Sequence, residues 1–176
     1  MKIIKTKIKD LLIIQQKNNA DKRGSLRETF NKKILKKNNF VFEYCTSSKA
    51  NSLRGFHFQY KYQQAKYVNV LKGKILDCVI DLRKNSKTFG RIYNCILSER
   101  NSKSIFIPEG FAHGFQGLEK ENYIIYSCTK YRDKNNEVAI NVNDKNFNIK
   151  WPSKKKIISK KDQRGITFHK YKEMYL

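Results

Sequence analysis

From about residue 40 onward, short runs rich in β-branched and aromatic residues alternate with polar turn segments. This pattern predicts β-strands at Phe40–Cys45, Leu53–Gln59, Tyr67–Leu71, Ile75–Asp81, Arg91–Leu97, Ser104–Ile107, Phe111–Leu118 and Tyr123–Cys128. Many short strands at regular spacing favour an antiparallel sandwich, barrel or jelly roll. The length of 176 residues predicts a single domain spanning 1–176.

Helical signals lie only at the periphery of this strand-rich region. Ser25 and Glu28 have the spacing of a capping box, and Phe30, Ile34 and Leu35 follow at helical intervals, which predicts one helix before the strands. A weaker helical signal lies at Lys160–Arg164. The last stretch, Thr167–Leu176, fits a tail or an edge element, and the pattern does not separate the two.

The formal net charge of +23 bears on which partners the protein binds. Such an excess is typical of proteins that bind nucleic acids or other polyanions. However, the chain has 30 Lys but only 8 Arg, together with 17 Asn and 19 Ile, a composition that AT-rich codons produce. Nucleic-acid readers favour the planar guanidinium of arginine. A smaller anion, such as a nucleotide diphosphate, therefore fits at least as well as a specific nucleic acid.

Hydropathy and cysteine usage indicate the compartment. The mean hydropathy is −0.72, and no stretch approaches the roughly 18 apolar residues of a membrane helix. The first residues carry scattered lysines and lack the apolar core of a signal peptide. The four cysteines form no CxxC pair, so neither a disulfide framework nor a zinc ribbon is expected. These features predict a reduced, cytoplasmic protein without a membrane partner.

Two histidines lie within predicted strands and are the first candidates for chemistry. Strict alternation along Leu53–Gln59 places Arg54, Phe56 and Phe58 on one face and His57 and Gln59 on the other. A histidine at a barrel mouth can act as an acid or a base, although a structural histidine bonded to backbone is the common alternative. His57 and His113 form no H-x-H motif and have no glutamate at ligand spacing, so we predict no metal site. Phosphate-loop and dinucleotide-binding motifs are also missing, and no cofactor is predicted.

A series of ordered motifs, spread over roughly residues 20–165, carries a family resemblance. In chain order the segments are DKRGSLRE (21–28), LRGFHFQ (53–59), QAKYV (64–68), DLR (81–83), SKTFG (86–90), IPEGFAHGF (107–115), YSCT (126–129), IKWP (149–152) and SKKD (159–162). The chain resembles dTDP-4-dehydrorhamnose 3,5-epimerase and its nucleotide-sugar epimerase relatives. The resemblance implies an all-β, cupin-type antiparallel jelly roll with short peripheral helices, without metal, assembled as a homodimer. It also implies inversion of a carbon next to the 4-keto group of a 6-deoxyhexose on a nucleotide diphosphate.

The resemblance assigns roles to four catalytic positions. His57 matches the base that removes a proton next to the ketone, and Asp162 matches the carboxylate that orients this histidine. Lys66 matches the cation near the developing enolate, and Tyr126 matches the acid on the opposite face. Read alone, each could be an ordinary surface or core residue.

The substrate-binding residues match the family pattern at the phosphate end better than at the base end. Arg54 and His113 match diphosphate positions, Arg23 matches one that reaches in from the neighbouring subunit, and Glu28 matches one near the base. Gln59 ends the histidine motif and is included in the substrate-binding set. At the base end the chain departs from the family. Leu26 stands where an aromatic is typical, Phe42 and Tyr44 replace Gln and Asn, and Thr46 replaces Ser.

Several functions remain open at this stage. The first is 3,5-epimerisation of dTDP-4-dehydro-6-deoxyglucose, and its nearest alternatives are a C-3-only epimerase or a ketoisomerase acting on a dTDP-, CDP- or GDP-sugar. A non-catalytic basic module that binds polyanions is the alternative from another class, and it predicts steep salt dependence. A metal-dependent cupin oxygenase is the third, and the missing H-x-H argues against it.

Overall fold

The computed structural model describes residues 1–176 as two facing β-sheets, a small separate hairpin and two short helices. The strands are β1 Lys2–Lys5, β2 Leu12–Gln15, β3 Asn18–Asp21, β4 Gly24–Arg27, β5 Phe42–Lys49, β6 Ser52–Gln59, β7 Lys66–Lys72, β8 Lys74–Asp81, β9 Ile92–Ser98, β10 Lys103–Ile107, β11 Phe111–Gly117, β12 Glu121–Cys128, β13 Glu137–Ile140 and β14 Ile157–Ile158. The helices are α1 Lys160–Gln163 and α2 Phe168–Tyr175. The predicted strands are thus present, with ends that coincide or differ by up to four residues.

Each large sheet has six strands. The first has the order β1-β2-β10-β7-β12-β5, and the second has the order β13-β6-β11-β8-β9 with β14 beside β6. All strand pairs are antiparallel except β14 with β6. Long pairings such as β12 with β5 and β8 with β11 join residues far apart in sequence and fix the two-layer arrangement.

Apolar side chains fill three layers around these sheets. The layer between the sheets contains Val68, Val79, Ile105, Phe115 and Ile124, among others. A second layer covers the outer face of the second sheet and includes residues of α2, and a third covers the outer face of the first sheet. Burying a side chain of this size contributes about 1.5–3 kcal/mol. The inter-sheet layer leaves an open cavity at one end of the sandwich.

The helix predicted from Ser25 onward is wrong. Residues Gly24–Arg27 form β4, which pairs with β3 in an exposed hairpin, and the following residues make successive turns. Gly24 has a φ of 137°, a backbone conformation that suits a hairpin and not a helix start. Phe30 instead packs against Phe40 and Tyr67 on the outside of the first sheet, so its burial needs no helix.

The two C-terminal signals resolve differently. The weak helical signal at Lys160–Arg164 is confirmed by α1, with Ser159 as its N-cap accepting the Asp162 N–H. Of the two alternatives for Thr167–Leu176, the tail is wrong, because Phe168–Tyr175 form α2 and the Thr167 side chain caps it by accepting the Lys170 N–H. Tyr171 and Tyr175 of α2 pack edge-on against Phe58, so this helix covers the back of the strand that carries His57.

Candidate active site

A cavity of about 360 Å³ opens between the two sheets. One wall comes from β6 and β11 of the second sheet, and the facing wall comes from β5, β7 and β12 of the first. Its charged and polar lining consists of Tyr44, Thr46, Arg54, His57, Gln59, Gln64, Lys66, His113, Tyr126, Arg132 and Glu137. The cavity therefore brings together six of the nine residues assigned from the sequence, with Asp162 directly behind His57.

A bulge in β6 sets which side chains reach this cavity. His113 of β11 lies opposite His57, but Phe115, two residues further, lies opposite Arg54, three residues away on β6. One extra residue in β6 therefore interrupts the alternation. As a result Arg54 faces the cavity with His57 and Gln59, and the prediction that it shares a face with Phe56 is wrong.

The His57 imidazole is bound to a buried carboxylate. Its Nε2 lies 2.6 Å from Oδ1 of Asp162, whose other oxygen accepts the Gly55 N–H at 3.1 Å. Gly55 permits this approach, since an added Cβ would lie 3.2 Å from the Asp162 side chain. Although burial opposes ionisation, the bonds from His57 and Gly55 hold the pKa of Asp162 below its usual value. The ionised carboxylate accepts the Nε2–H, which leaves Nδ1 free to take a proton.

A second carboxylate lies near the other ring nitrogen. Oε1 of Glu137 is 3.6 Å from Nδ1 of His57, and the Glu137 side chain is only 7% exposed. Arg132 donates to this carboxylate through Nε and Nη2, and Lys161 donates through Nζ at 2.7 Å. Burial opposes ionisation, but these cations hold the pKa of Glu137 at about 2. Sequence reasoning missed both Glu137 and Arg132.

Lys66 and Tyr126 lie on the wall opposite His57. Burial raises the pKa of the Tyr126 phenol well above its usual value, so this group stays protonated and can donate a proton. Burial lowers the pKa of Lys66, which has no carboxylate oxygen within 4.0 Å of its Nζ. The cavity thus holds a cation that has no anionic partner of its own.

A second histidine–aspartate pair lies deeper in the cavity wall. Nε2 of His113 is 2.7 Å from Oδ2 of Asp77, and both side chains are buried. The other oxygen of Asp77 has no hydrogen-bond partner. Asp77 was not predicted, although a single carboxylate in the apolar run from Ile75 to Ile80 is the kind of buried polar group that needs a partner.

Arg54 is held in place at the cavity by β5. Its Nε donates to Oγ of Ser48 at 3.0 Å, and Nη2 donates to the carbonyl of Ser47 at 3.2 Å. Gln59 also lines the cavity, and both its amide nitrogen and its amide oxygen are hydrogen-bonded within the protein. It donates to the Tyr62 carbonyl and accepts the Asp133 N–H, so it ties two loops to the rim.

Arg23 and Glu28 lie away from the cavity of their own chain. Arg23 is at the tip of the β3–β4 hairpin, with 90% of its side chain exposed, and pairs only with Asp21. Glu28 follows the hairpin and accepts a hydrogen bond from Asn31. Leu26, between them, is 68% exposed.

Of the four positions where the sequence departs from the pattern that the resemblance implies, three line the cavity and Leu26 does not. Phe42, Tyr44 and Thr46 of β5 form one side of it. The Tyr44 ring stacks on Tyr126 with centroids 4.7 Å apart and an interplanar angle of 6°. Phe42, Tyr44 and Tyr126 therefore give this side of the cavity an aromatic surface.

A larger cavity of about 480 Å³ adjoins the first beneath α2, and the two share Phe58, Gln59, Gln64 and Lys66.

No group of three or more His, Cys, Asp or Glu side chains in the molecule is arranged to hold a metal ion. Neither helix is long and apolar enough to cross a membrane. What the first cavity offers is proton chemistry, with a carboxylate-bound imidazole on one wall and an ammonium and a phenol on the other.

Comparison with known proteins agrees with the motifs. The family model described as dTDP-4-dehydrorhamnose 3,5-epimerase matches residues 5–170. The dTDP-4-dehydrorhamnose 3,5-epimerase of Shigella flexneri is 38% identical over 174 residues, which cover 96% of each chain.

Solved structures agree as well. The dTDP-6-deoxy-D-glucose-3,5-epimerase of Legionella pneumophila, solved with dTDP-4-keto-L-rhamnose, has a TM-score of 0.91 and 35% identity, covering 94% of this chain and 92% of that one. The Bacillus anthracis dTDP-4-dehydrorhamnose 3,5-epimerase, solved with TDP and PPi, has a TM-score of 0.90 and 34% identity, covering 94% and 98%. The predicted cupin-type jelly roll is confirmed.

Proposed function

Because the chain belongs to the dTDP-4-dehydrorhamnose 3,5-epimerase family, we propose that it inverts C-3 and C-5 of dTDP-4-dehydro-6-deoxyglucose to give dTDP-4-dehydrorhamnose. The observation that carries this proposal is the pairing of His57 with Asp162 on one wall of the cavity, with Lys66 and Tyr126 on the wall opposite. Inversion needs a base on one face of the sugar and an acid on the other. Two facing sheets supply that arrangement.

The first step removes the proton next to the ketone. Nδ1 of His57 takes the proton from C-3, and the electrons of the C–H bond move into the enolate, whose oxygen carries the negative charge. Asp162 stabilises the resulting imidazolium through Nε2–H. The Lys66 ammonium stabilises the enolate oxygen. Since burial lowers the pKa of Lys66, its proton is lost at lower pH than from an exposed lysine, and the rate falls correspondingly early on the alkaline side.

The second step returns a proton to the opposite face. The Tyr126 phenol donates to C-3 as the enolate reverts to the ketone, and the tyrosinate then recovers a proton from solvent. The His57 imidazolium loses its proton to solvent before C-5 reacts in the same way. Removal and return use different groups, so each inverted carbon acquires a solvent hydrogen.

Binding of the nucleotide diphosphate supplies the remaining roles. We assign the phosphates to Arg54 and His113, which line the cavity. We assign Arg23 and Glu28 to the cavity of a second copy, because the exposed hairpin places both outside their own. The protein is then a homodimer in which each site is shared, and we place it in the cytoplasm, where its four free cysteines stay reduced.

Mixed dimers test this sharing. Arg23→Ala and His57→Ala proteins are each expected to be inactive, and unfolding and refolding them together restores activity in about a quarter of the sites, as random pairing predicts. No recovery in verified heterodimers would assign Arg23 to its own subunit, and an active Arg23→Ala homodimer would assign it to no site.

Proton NMR in D₂O tests the reaction itself. With dTDP-4-keto-6-deoxyglucose, the H3 and H5 signals of the sugar are expected to disappear as deuterium enters, and His57→Ala protein is the control that leaves both. Loss of H3 alone would indicate a C-3 epimerase. Exchange only with a CDP- or GDP-sugar would support the proposed proton transfer but show that the nucleotide is not thymidine diphosphate. That outcome would agree with the aromatic side chains of Phe42 and Tyr44 at the cavity. No exchange with any of them would contradict the proposal.

A further inference from the structure

The imidazole of His57 lies between two carboxylates, one for each ring nitrogen. Asp162 occupies Nε2, and Glu137 lies on the side of Nδ1, the nitrogen that takes the substrate proton in the proposed reaction. We propose that Glu137 is a positioning residue that stabilises His57 after Nδ1 is protonated, and that Arg132 and Lys161 fix its carboxylate for this purpose. The proposal rests on the function proposed above and extends it to residues to which the resemblance assigned no role.

The distance from Glu137 to His57 suits a contact that strengthens during the reaction. At 3.6 Å, Oε1 and Nδ1 are too far apart for a good hydrogen bond. Unprotonated Nδ1 presents a lone pair to the carboxylate and has nothing to donate. Once Nδ1 carries a proton, the same approach becomes an attractive ion pair, so the interaction favours the state that follows proton removal.

The placement of Glu137 leaves His57 accessible to the substrate. Glu137 belongs to β13, which pairs with β6 so that Ala139 lies opposite His57 and Glu137 lies opposite Gln59. The carboxylate therefore approaches along the sheet edge, and its side chain is 7% exposed. The His57 side chain is 31% exposed, and this open part faces the cavity.

Two cations keep Glu137 in this role. Arg132 donates two hydrogen bonds and Lys161 donates one, so the carboxylate stays ionised and is held from both sides. Lys161 directly precedes Asp162 in α1, so one short helix anchors both carboxylates that flank His57. Without these cations, a buried carboxylate beside an imidazolium would compete for its proton.

Other charged groups also face His57 across the cavity. Arg54 of β6 and Lys66 of β7 add positive charge, and the His113–Asp77 pair lies beside it on β11 and β8. The phenols of Tyr44 and Tyr126 stay neutral, because burial raises the pKa of both. Asp162 and Glu137 are the acidic groups within 4.0 Å of the imidazole, so removing one of them has a clear expected sign.

The test is an NMR titration of the His57 imidazole in the ligand-free protein, with the signal assigned from His57→Ala. In Glu137→Gln the midpoint is expected to move to lower pH by about one unit, because a carboxylate that favours the protonated form is gone. Glu173→Gln is the matched control, since Glu173 pairs with His169 on the exposed side of α2. In Lys161→Gln the His57 midpoint should move to higher pH, because one of the two cations that neutralise the Glu137 carboxylate is gone.

A kinetic readout separates positioning from a merely structural role. The rate of H3 exchange in Glu137→Gln is expected to fall about tenfold on the pH plateau, and its acidic limb should move with the His57 titration. Glu137→Asp, which keeps the charge, should restore part of both. Unchanged His57 titration and unchanged exchange in Glu137→Gln would overturn the proposal. If Glu137→Gln does not fold, Lys161→Gln provides the test. An unchanged His57 midpoint in Lys161→Gln would then overturn the proposal.

The titration also keeps this inference distinct from the proposed function. It uses no substrate, so it reports the pairing of Glu137 with His57 even if no nucleotide sugar exchanges its protons. A moved midpoint without any exchange would support the pairing and reject the epimerase reaction. Exchange with an unmoved midpoint would support the reaction and reject the role of Glu137.

Discussion

Two histidine–aspartate pairs lie side by side in this molecule and differ in almost everything except their hydrogen bond. His57 and His113 are cross-strand neighbours on β6 and β11, and each contacts its aspartate through Nε2, at 2.6 and 2.7 Å. The His57 side chain is 31% exposed, whereas that of His113 is 4% exposed. Asp77 comes from a strand of the same sheet, whereas Asp162 comes from a short helix at its edge.

The difference in burial suggests that the same type of histidine–aspartate pair can serve two different purposes. The buried pair has its only carboxylate fixed within the sheet, which suits a group that presents a constant surface to a ligand. The partly exposed pair has room for substrate, a route to solvent and a second carboxylate on its other nitrogen. Proton transfer needs those three features, so the surroundings of the pair, and not the pair itself, indicate the catalytic base.

The largest effect is expected when the imidazole of the partly exposed pair is removed. His57→Ala is expected to lower the rate of deuterium entry at C-3 by about 10³-fold, because the proposed base is lost. His169→Ala on the exposed side of α2 is the matched control and should keep full activity. Comparable exchange in His57→Ala and wild type, measured by NMR, would remove His57 from the reaction.

The buried pair should matter more for stability than for the proton-transfer step. His113→Ala leaves Asp77 buried with no partner on either oxygen, which is expected to lower the free energy of unfolding by about 3 kcal/mol. Asp162 keeps the Gly55 N–H in His57→Ala, so that loss should be smaller. Urea unfolding of both variants checks the order, and an equal loss would show that burial does not distinguish the pairs.

Acid should lower the stability of the fold by protonating Glu137, the second carboxylate beside the partly exposed pair. Its pKa in the folded protein, about 2, lies below the ordinary 4.5, so its ion pairs stabilise the fold above about pH 5 and this contribution is lost as pH falls toward 2. After allowance for solvent screening on the open side of the cluster, we expect about 2 kcal/mol. Unfolding of wild type and Glu137→Gln between pH 7 and pH 3 should show their difference shrinking as pH falls, and a constant difference would contradict this.

The smallest effect concerns the distance between His57 and Asp162. In Gly55→Ala the new methyl group would lie 3.2 Å from the Asp162 side chain, which must move by a few tenths of an ångström. We expect a few-fold slower exchange and a loss of stability of about 1 kcal/mol or less. The same change in an Asp162→Asn background is the control, and an undiminished effect there would show that Gly55 does not act through Asp162.

Much of the sandwich could be predicted because its central strands bury large β-branched and aromatic side chains. The prediction failed where local pattern and tertiary packing diverge. Strands β1, β3 and β4 are exposed or polar, so their sequences carry no strand pattern, and Phe30 and Leu35 suggested a helix although they pack onto a sheet. The α2 helix depends on a cap at Thr167 and on packing against Phe58.

The site was predictable as far as motifs reach. His57, Lys66, Tyr126, Arg54 and His113 line one cavity, which spacing alone does not dictate. Glu137 was missed because β13 is only four residues long and meets β6 from a distant part of the chain. The face of Arg54 could not be predicted because a bulge is a property of two paired strands, and the sequence of β6 alone does not show where β11 pairs with it.

That bulge makes the length of β6 as important as its composition. Leu53 and Arg54 lie on one side of the extra residue, and His57, Phe58 and Gln59 lie on the other, in opposite phases of the alternation. Deleting one residue between the two groups would exchange inward and outward positions in one of them, sending either the Arg54 guanidinium or the His57 imidazole into the apolar layer. Insertions and deletions in this segment are therefore far less acceptable to the protein than single substitutions, and any redesign of the strand has to preserve its residue count.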